Sequence, residues 1–330
     1  MRKLASIQKI KELSPIEGAD AIERASVLGW QLVVKKGEFK VGDLVVYCEI
    51  DCLMPETPEF EFLRQRKFIV RTVRLRGQIS QGICFPLSIL PPDFEVVEDA
   101  ECTEELNITK WEPPIPACLG GKVKGRFPSF IPKTDETRVQ VLQELLNKYV
   151  GELFYISEKL DGSSTTYYVR DGEFGVCSRN LELLEDDTNS LWKVARELDI
   201  ESKMKSLGRN ISFQGELVGE GIQKNKLAIK GQTVRFFNIF DIDQYKYLDF
   251  EEFKSIIGDL GLETVPILDE NFVMINDIDK LVEMAMVKSV INDKAWIEGK
   301  VFRPLKETRD MDGRVSFKAI NPEFLLKFKE

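Results

Sequence analysis

A change in composition divides this 330-residue chain into two parts. Residues 93–105 carry seven acidic side chains and no basic one, and residues 112–132 are then rich in proline and glycine. Such segments are typical of domain boundaries, and a chain of this length holds about two domains. We therefore expect a first domain over residues 1–110, a linker over residues 111–132 and a second domain over residues 133–330.

The first part of the chain contains short β-rich runs. They are separated by turn residues and lie at residues 25–27, 31–34, 44–50, 68–75 and 82–86. Several short strands with glycine turns within about 95 residues predict a small closed β-barrel, with an OB-like fold as the leading candidate. An SH3-like barrel would produce much the same pattern, and the residues leave that alternative open.

The second part mixes helical and strand patterns. Apolar residues recur at helical spacing in residues 138–150, which predicts a helix that ends before Gly151. Further helices are predicted near residues 190–198, 250–257 and 277–290, and strands at residues 153–157, 165–169, 211–213 and 234–242. The chain is therefore expected to be α+β, with an N-terminal OB-like β-barrel followed by a domain of antiparallel sheets and flanking helices.

The composition limits the chemistry that the chain can perform. It contains no histidine, which excludes catalysis by imidazole and leaves lysine, carboxylates, hydroxyls or a metal ion. The net charge of −9 argues against a protein that coats nucleic acid by bulk electrostatics. However, residues 64–76 carry six basic side chains and no acidic one, and they are either a solvated sheet face or a surface that follows phosphates.

The sequence also predicts where the protein is found. No secretory signal is readable at the N-terminus, and no apolar stretch approaches the roughly 18 residues of a membrane-spanning helix. The six cysteines are scattered, which favours reduced thiols over a disulfide framework. We expect a cytoplasmic protein, or a nuclear one in a eukaryote, that is neither secreted nor attached to membranes.

A lysine followed closely by an Asp-Gly turn is the sharpest local feature. The segment reads Glu158-Lys159-Leu160-Asp161-Gly162. A lysine amine becomes a good nucleophile when its pKa falls from about 10.4 to roughly 7 or 8, through burial, nearby cations or a metal ion. We therefore expect a site that lowers the pKa of Lys159. Taken alone, the tetrapeptide is weak evidence, because a lysine before a hairpin turn is usually a solvated charge.

Further segments follow this lysine in a characteristic order. They are Ser178-Arg179, residues 214–219 with Glu216, residues 236–242 with Phe237, residues 297–304 with Glu298, and residues 315–318 with Lys318. Together with Lys159, the series resembles the covalent nucleotidyltransferase superfamily of ATP-dependent ligases and capping enzymes. Members of that superfamily carry a nucleotide on the lysine of their first motif.

The resemblance implies that Lys159 attacks the α-phosphorus of ATP, expels pyrophosphate and carries AMP as a lysyl-AMP. Lys318 and Arg138 are then the expected catalytic cations beside the phosphates. Arg138 also has the alternative of a surface arginine at the start of a helix, and the residues leave that alternative open.

The same resemblance implies two sets of binding residues. The nucleotide-binding set is Glu158, Lys159, Arg179, Glu216, Phe237 and Lys318, in which Phe237 stacks on adenine and Glu216 binds the ribose. The metal-binding set is Asp161, Glu216 and Glu298, which would hold Mg²⁺ or Mn²⁺ through its water molecules.

Two positions depart from the pattern of the superfamily. Ser164 stands where many ligases have an arginine, so that one contact is missing or is supplied elsewhere. Ile320 stands where many relatives have the second lysine of the last motif, if Lys318 is the first; if Lys318 is the second, Ser316 is the first. The role of Lys318 in that motif is therefore open.

The order of the domains narrows the resemblance. Only twelve residues follow Lys318, too few for the barrel that DNA ligases and capping enzymes carry after their last motif. A barrel that precedes the catalytic domain resembles the RNA ligase 5 family, of the Deinococcus and Naegleria type. Residues 41–47 and 75–82 also resemble that family.

This resemblance implies an ATP-dependent RNA ligase that joins a 3'-hydroxyl end to a 5'-phosphate end, with a preference for nicks in RNA-containing duplexes. AMP would pass from ATP to Lys159 and then to the 5'-phosphate, which becomes an AMP-capped end. We expect the enzyme to act as a monomer. The alternatives are a DNA ligase, a capping-type guanylyltransferase, and an inactive relative that binds nucleic acid.

Overall fold

The computed structural model describes residues 3–112, 119–311 and 313–328. Contacts between backbones divide the chain into two compact units, one of residues 1–113, 139–143 and 325–330, and the other of residues 114–138 and 144–324. Part of the expected linker, residues 113–118, lies outside the described residues. Within the same expected linker, Val123–Arg126 form a strand of a sheet in the second unit.

The first unit is built around a five-stranded sheet. Its strands are β1 (Ala5–Pro15), β2 (Ile22–Val27), β3 (Trp30–Lys35), β4 (Leu44–Cys48), β5 (Cys52–Leu53), β6 (Val73–Leu75), β7 (Gln78–Ser80), β8 (Ile83–Phe85) and β9 (Thr109–Lys110). The sheet has the order β3-β2-β1-β4-β8, and the short strands pair as β5-β9 and β6-β7. The long strand β1 joins two partners, with β4 along its first half and β2 along its second. Its core includes the fully buried Ile7, Trp30 and Tyr47.

The basic segment 64–76 contains less strand than its sequence predicts. Pro58–Arg66 form a 3-10 helix, because Phe60 and Leu63 are buried in the core and hold this segment against the sheet. Lys67 and Phe68 then adopt left-handed backbone conformations that end the helix. Ile69 forms an isolated bridge with Leu53, and the next strand begins only at β6. The expected strand over residues 68–75 is therefore wrong for most of its length.

Two larger sheets form the second unit. The remaining strands are β10 (Val123–Arg126), β11 (Thr137–Arg138), β12 (Leu153–Lys159), β13 (Ser163–Arg170), β14 (Glu173–Cys177), β15 (Leu181–Leu183), β16 (Ile211–Gly219), β17 (Gln232–Asp241), β18 (Lys246–Tyr247), β19 (Ile267–Val273), β20 (Gly299–Pro304), β21 (Arg309–Asp310), β22 (Gly313–Arg314) and β23 (Phe317–Ile320). One sheet has the order β10-β15-β14-β13-β16-β17-β18, and the other has the order β11-β23-β20-β12-β19.

Short helices complete the chain. They are α1 (Gln143–Tyr149), α2 (Ser190–Glu197), α3 (Ile200–Lys205), α4 (Phe250–Asp259), α5 (Ile278–Glu283) and α6 (Pro322–Lys327), with short 3-10 helices at Leu87–Ile89, Val139–Val141 and Gln223–Asn225. None of the helices in the described parts of the chain is long and apolar enough to cross a membrane. The cysteines described by the structure are free thiols, and Cys118 lies outside the described residues.

Two predicted helices are shorter in the structure. The helix expected over residues 138–150 begins only at Gln143, because Arg138 belongs to β11, which pairs with β23. This pair is parallel, whereas the other strand pairs of the two large sheets are antiparallel. The helix expected over residues 277–290 ends at Glu283. In the first case, pairing with a strand distant in the sequence overrides the local helical pattern.

Candidate active site

The predicted nucleophile Lys159 is the last residue of β12. That strand lies between β19 and β20, and its residues from Phe154 to Glu158 are buried. The antiparallel register places Lys159 opposite Gly299, so that Glu298 lies beside Lys159 at the same edge of the sheet. Lys159 Nζ is 2.6 Å from Glu298 Oε2, with 24% of the lysine side chain exposed. Residues 139 positions apart in the sequence therefore form one ion pair.

Gly162 brings the loop after Lys159 close to the other large sheet. Its backbone N–H donates to Glu216 Oε1 at 3.1 Å, and a Cβ at this position would lie 2.3 Å from the carbonyl oxygen of Leu217. Only glycine fits such a close approach of backbone to backbone. The Asp-Gly turn of the sequence motif therefore has a structural role, which is to place Glu216 on β16 near Lys159.

The other two predicted catalytic cations meet through the parallel strand pair. The register of β11 and β23 places Arg138 opposite Lys318, and β23 also pairs with β20, the strand that follows Glu298. Charge interactions link Lys318 with Lys159, Arg138 and Glu298. Arg138 is only partly exposed and lies in β11, directly before the 3-10 helix Val139–Val141.

The charges around Lys159 act against the sequence-based expectation. Burial lowers its pKa, but the carboxylates of Glu298, Glu216 and Asp161 and the hydrogen bond to Glu298 outweigh burial and raise the pKa above its ordinary value. The expectation that the protein lowers the pKa of this amine is therefore wrong, because the side chains around Lys159 raise that pKa. Lys318 has the property expected of Lys159, because burial and the nearby Lys159 and Arg138 lower its pKa to about 7.

The three predicted metal-binding carboxylates interact with one another without forming a direct ligand cluster. Burial raises the pKa of Glu216 to about 8, Lys159 opposes the rise, and Glu298 and Asp161 add to it. In the described parts of the chain, no group of three or more acidic or cysteine side chains is arranged to hold an ion directly. The carboxyl oxygens fit a hydrated Mg²⁺ or Mn²⁺ ion, since these ions prefer oxygen ligands and Mg²⁺ keeps several of its water molecules.

Two of the predicted nucleotide-binding residues border Lys159. Glu158 is buried, and burial raises its pKa even though its Oε2 accepts a hydrogen bond of 3.2 Å from the N–H of Val290. Phe237 is half-buried and packs against the apolar cluster of Leu160. Its neighbour Phe236 is fully buried in a different core cluster. Phe237 is therefore the aromatic residue of β17 that packs against the cluster of Leu160, the residue after Lys159.

Arg179 lies at the turn between β14 and β15. It forms an ion pair of 2.6 Å with Asp135, and both side chains are exposed. Arg179 is not among the described residues whose charges act most strongly on Lys159 or Lys318. At the position of the missing ligase arginine, the Ser164 hydroxyl lies 2.9 Å from the hydroxyl of Thr134. The segment of residues 134–138 thus lies close to Ser164 and to Arg179.

Sequence reasoning missed two buried cations of the site. Lys226 pairs with Asp161, and the exposed fractions of the two side chains are 8% and 10%. Arg303, which is 3% exposed, pairs with Glu136 at 2.7 Å and donates to the carbonyl oxygen of Phe237 at 3.3 Å. A signal existed for Arg303, since it belongs to the motif segment 297–304. No local pattern marks Lys226, which lies in a loop far from Asp161 in the sequence.

Two parts of the chain match models of known families. A model of the RNA ligase family matches residues 152–320, which include Lys159, Glu216, Glu298 and Lys318. The chain belongs to the RNA ligase family. A model of an OB-fold domain matches residues 4–87 of this RNA ligase. The family and the fold expected from the sequence, an OB-like barrel followed by a nucleotidyltransferase domain, are therefore confirmed.

Solved structures of Naegleria gruberi RNA ligase resemble this RNA ligase along nearly its whole length. An apo mutant is 41% identical, with a TM-score of 0.91 and coverage of 99% of this chain and 98% of that chain. A mutant with ATP and Mn has the same identity and TM-score and covers 98% of each chain. The enzyme with PPi is also 41% identical, with a TM-score of 0.91 over 100% and 99% of the two chains. No curated protein sequence matches the chain.

Proposed function

We propose that this RNA ligase uses ATP and a divalent metal ion to join 3'-hydroxyl and 5'-phosphate ends of RNA at nicks in duplexes. The observation that carries the proposal is the Lys159 amine at the edge of β12, paired with Glu298 and linked by charge to Lys318, Asp161 and Glu216. The similar Naegleria gruberi structures that contain ATP, AMP or PPi support ATP as the nucleotide. Those that contain Mn support a divalent ion.

In the first step, Lys159 Nζ attacks the α-phosphorus of ATP. A P–N bond forms, the bond to the bridging oxygen breaks, and pyrophosphate leaves with the electron pair. The ammonium must lose a proton before it attacks, and Glu298 Oε2, at 2.6 Å, is a carboxylate oxygen in reach of that proton. A bound divalent ion supplies positive charge that opposes the pull of the carboxylates on Lys159.

Lys318 and Arg138 neutralise the phosphate oxygens on which negative charge accumulates. Their opposed positions on β23 and β11 support this role, because both cations lie at one edge of the sheet that carries Lys159. Burial next to Lys159 and Arg138 lowers the pKa of Lys318 to about 7, and an anionic phosphate beside it would raise that pKa and restore the charge. Arg179 would contact the phosphates from the turn after β14.

The adenine and the ribose bind beside the same strand. Phe237 stacks on the base, and its contact with the Leu160 cluster supports this role because the cluster begins one residue after Lys159. Glu158 receives the base edge, since its buried carboxyl lies directly before the nucleophile. Glu216 binds the ribose hydroxyls and, with Asp161 and Glu298, the hydration shell of the metal ion.

The second and third steps use RNA ends as substrates. The 5'-phosphate attacks the lysyl-AMP, so that the P–N bond breaks and an AMP-capped end forms. The 3'-hydroxyl then attacks that end and AMP leaves. We assign the OB-like domain, residues 1–110, to binding of the duplex and residues 133–330 to nucleotidyl transfer, with residues 111–132 between them. The basic residues of segment 64–76 support phosphate contacts, although Arg64 already pairs with Glu61.

Labelling with ATP or GTP tests the first step. We expect ATP alone to add the mass of one AMP to Lys159, and Lys159→Ala to abolish the adduct while the circular dichroism spectrum is unchanged. Lys246→Ala is the matched control, because Lys246 is an exposed lysine on β18. An adduct with GTP alone would indicate a guanylyltransferase, and an undiminished adduct in Lys159→Ala would contradict the assigned nucleophile.

Sealing of nicked duplexes tests the substrate. Duplexes with RNA or DNA on each side of the nick are incubated with ATP and either Mg²⁺ or Mn²⁺. We expect sealing wherever the 3'-hydroxyl strand is RNA. Sealing of all-DNA nicks alone would contradict the RNA assignment, and adduct formation without sealing of any duplex would contradict the nick assignment.

A further inference from the structure

A buried lysine forms an ion pair with one of the predicted metal-binding carboxylates. The ammonium of Lys226 forms an ion pair with Asp161 Oδ2, and about nine-tenths of each side chain is buried. The same ammonium lies 4.7 Å from the centre of the Phe324 ring. Water therefore has little access to this pair, and the attraction between its charges is screened less than that of a surface ion pair.

The loop of residues 222–229 is built to hold Lys226 in this place. Leu227 and Leu160 are buried in the same apolar cluster. Lys226 precedes Leu227 and Asp161 follows Leu160, so this contact brings Lys226 and Asp161 close together. The side-chain amide of Asn292 donates to the carbonyl oxygen of Lys226 at 3.2 Å. These contacts fix both the side chain and the backbone of Lys226.

The backbone of the same loop is strained. Gln223, Lys224 and Asn225 have φ angles of 42°, 60° and 43°, and Ala228 has a φ of 55°. Left-handed conformations at consecutive residues other than glycine persist only where the surrounding structure imposes them. Here the Asn225 side chain closes the loop, because its amide donates to the carbonyl oxygen of Ile229 at 2.8 Å and its oxygen accepts from the Ile229 N–H at 3.0 Å.

An ammonium and a hydrated divalent cation compete for the same carboxylate. The negative charge of Asp161 that attracts a metal ion is already offset by Lys226 in this arrangement. Because the pair is buried, the Lys226 ammonium strongly repels an incoming cation. Lys226 also keeps the Asp161 side chain ordered, but the conformational entropy that this order saves on metal binding is small by comparison. Removal of the lysine charge should therefore strengthen metal binding rather than weaken it.

We propose that Lys226 is an internal counter-ion of Asp161 that competes with the divalent metal ion and so weakens metal binding to the enzyme without nucleotide. The proposal rests on the proposed metal-binding role of Asp161. Lys226 is a positioning residue, since it acts on the metal ion through Asp161 and through the loop of residues 222–229.

Titration of nucleotide-free enzyme with Mn²⁺, followed by the electron paramagnetic resonance signal of free Mn²⁺, tests the proposal without any activity measurement. We expect Lys226→Met to lower the Kd for Mn²⁺ about tenfold, because one positive charge beside Asp161 is lost. Lys226→Arg keeps the charge and should bind Mn²⁺ as the unmodified enzyme does. Circular dichroism checks folding, and Lys226→Gln is a second variant if the methionine variant does not fold.

Two controls separate the possible failures. Lys230→Met removes an equal charge from an exposed lysine near the same loop, and its Kd should change by less than about twofold because solvent screens that charge. Asp161→Asn should weaken Mn²⁺ binding. If it does not, the proposed metal site is wrong. If Asp161→Asn weakens binding but Lys226→Met binds like Lys230→Met, or more weakly than the unmodified enzyme, only the counter-ion proposal is overturned.

Discussion

Lys159 and Lys318 are two lysines of one site with opposite electrostatic surroundings. Glu298, Glu216 and Asp161 raise the pKa of Lys159 above its ordinary value even though the side chain is largely buried. Lys318 has two cationic neighbours, Lys159 and Arg138, and its pKa falls to about 7 with burial as the largest cause. The distribution of neighbouring charge, rather than the residue type, therefore decides which of the two amines is protonated near neutral pH.

The lowered pKa of Lys318 predicts a pH-dependent stability. Between about pH 7 and pH 10 the unfolded chain binds a proton at this residue that the folded chain does not, so that the contribution of Lys318 to stability increases as the pH rises. We expect Lys318→Met to increase the free energy of unfolding by about 2 kcal/mol at pH 7 and by much less at pH 9.5, measured by urea denaturation. Lys246→Met is the control, and an equal gain at both pH values would contradict the prediction.

The partly exposed ring of Phe237 predicts a selective effect on nucleotide binding. Stacking of a base on an aromatic side chain contributes about 1–3 kcal/mol. We expect Phe237→Leu, which keeps the apolar contact with the Leu160 cluster, to raise the ATP concentration needed for half-maximal adduct formation about tenfold. Phe237→Tyr should retain nearly full affinity because it keeps the ring. Equal affinities for the leucine and tyrosine variants would show that the ring does not stack on the base.

At the scale of elements, the site depends on the close approach of β20 and β23. A Cβ at Gly299 would lie 2.3 Å from the carbonyl oxygen of Ala319 and 3.0 Å from the Cα of Ile320. The strand that follows Glu298 can therefore pair with the strand of Lys318 only if its first residue has no side chain. The glycine of segment 297–304 is a packing requirement of the sheet that aligns the proposed catalytic residues.

Replacement of this glycine predicts a loss of stability. We expect Gly299→Ala to lower the free energy of unfolding by about 2–3 kcal/mol, because backbone atoms of β23 cannot move away cheaply. Gly258→Ala is the matched control, since Gly258 lies in α4 and a Cβ there would meet nothing within 4 Å. That change should leave stability equal or raise it by about 0.5–1 kcal/mol. Similar results for both variants in urea denaturation would contradict the argument.

At the scale of the whole molecule, the proposed function gives the two units different tasks. The residues assigned to adenylate transfer belong to the second unit, whereas the basic segment 64–76 belongs to the first. Within that segment the β6–β7 hairpin carries Arg74 and Arg76, which are exposed. Phosphate contacts from such residues contribute binding that decreases steeply with salt.

Removal of these two charges predicts a defect in sealing alone. We expect the double variant Arg74→Gln and Arg76→Gln to seal a nicked RNA duplex about tenfold more slowly, with a weaker dependence on salt, because up to two phosphate contacts are lost. Formation of the lysyl-AMP needs no RNA and should be unchanged. A parallel loss of adduct formation would indicate a folding defect, and unchanged sealing would contradict the assigned role of the hairpin.

The sequence alone determined the parts of this protein that depend on local patterns and on ordered motifs. Glycine turns between short β-rich runs predicted the barrel, and α2 and α4 begin at the residues where their predicted helices begin. The motif order predicted the family, and Lys159 indeed ends its strand. Each turn, helix start and motif depends on residues close together in the chain, and the order of the motifs can be read directly along the sequence.

Only the tertiary structure decided how the charges of the site are arranged. The helical pattern of residues 138–150 concealed the short strand that places Arg138 beside Lys318, because a strand is defined by a partner far away in the sequence. The direction of the pKa shift of Lys159 depends on Glu298, 139 residues away, and the Lys226–Asp161 pair joins residues 65 positions apart. Charge interactions act through space, so their balance follows from the fold and not from the order of residues.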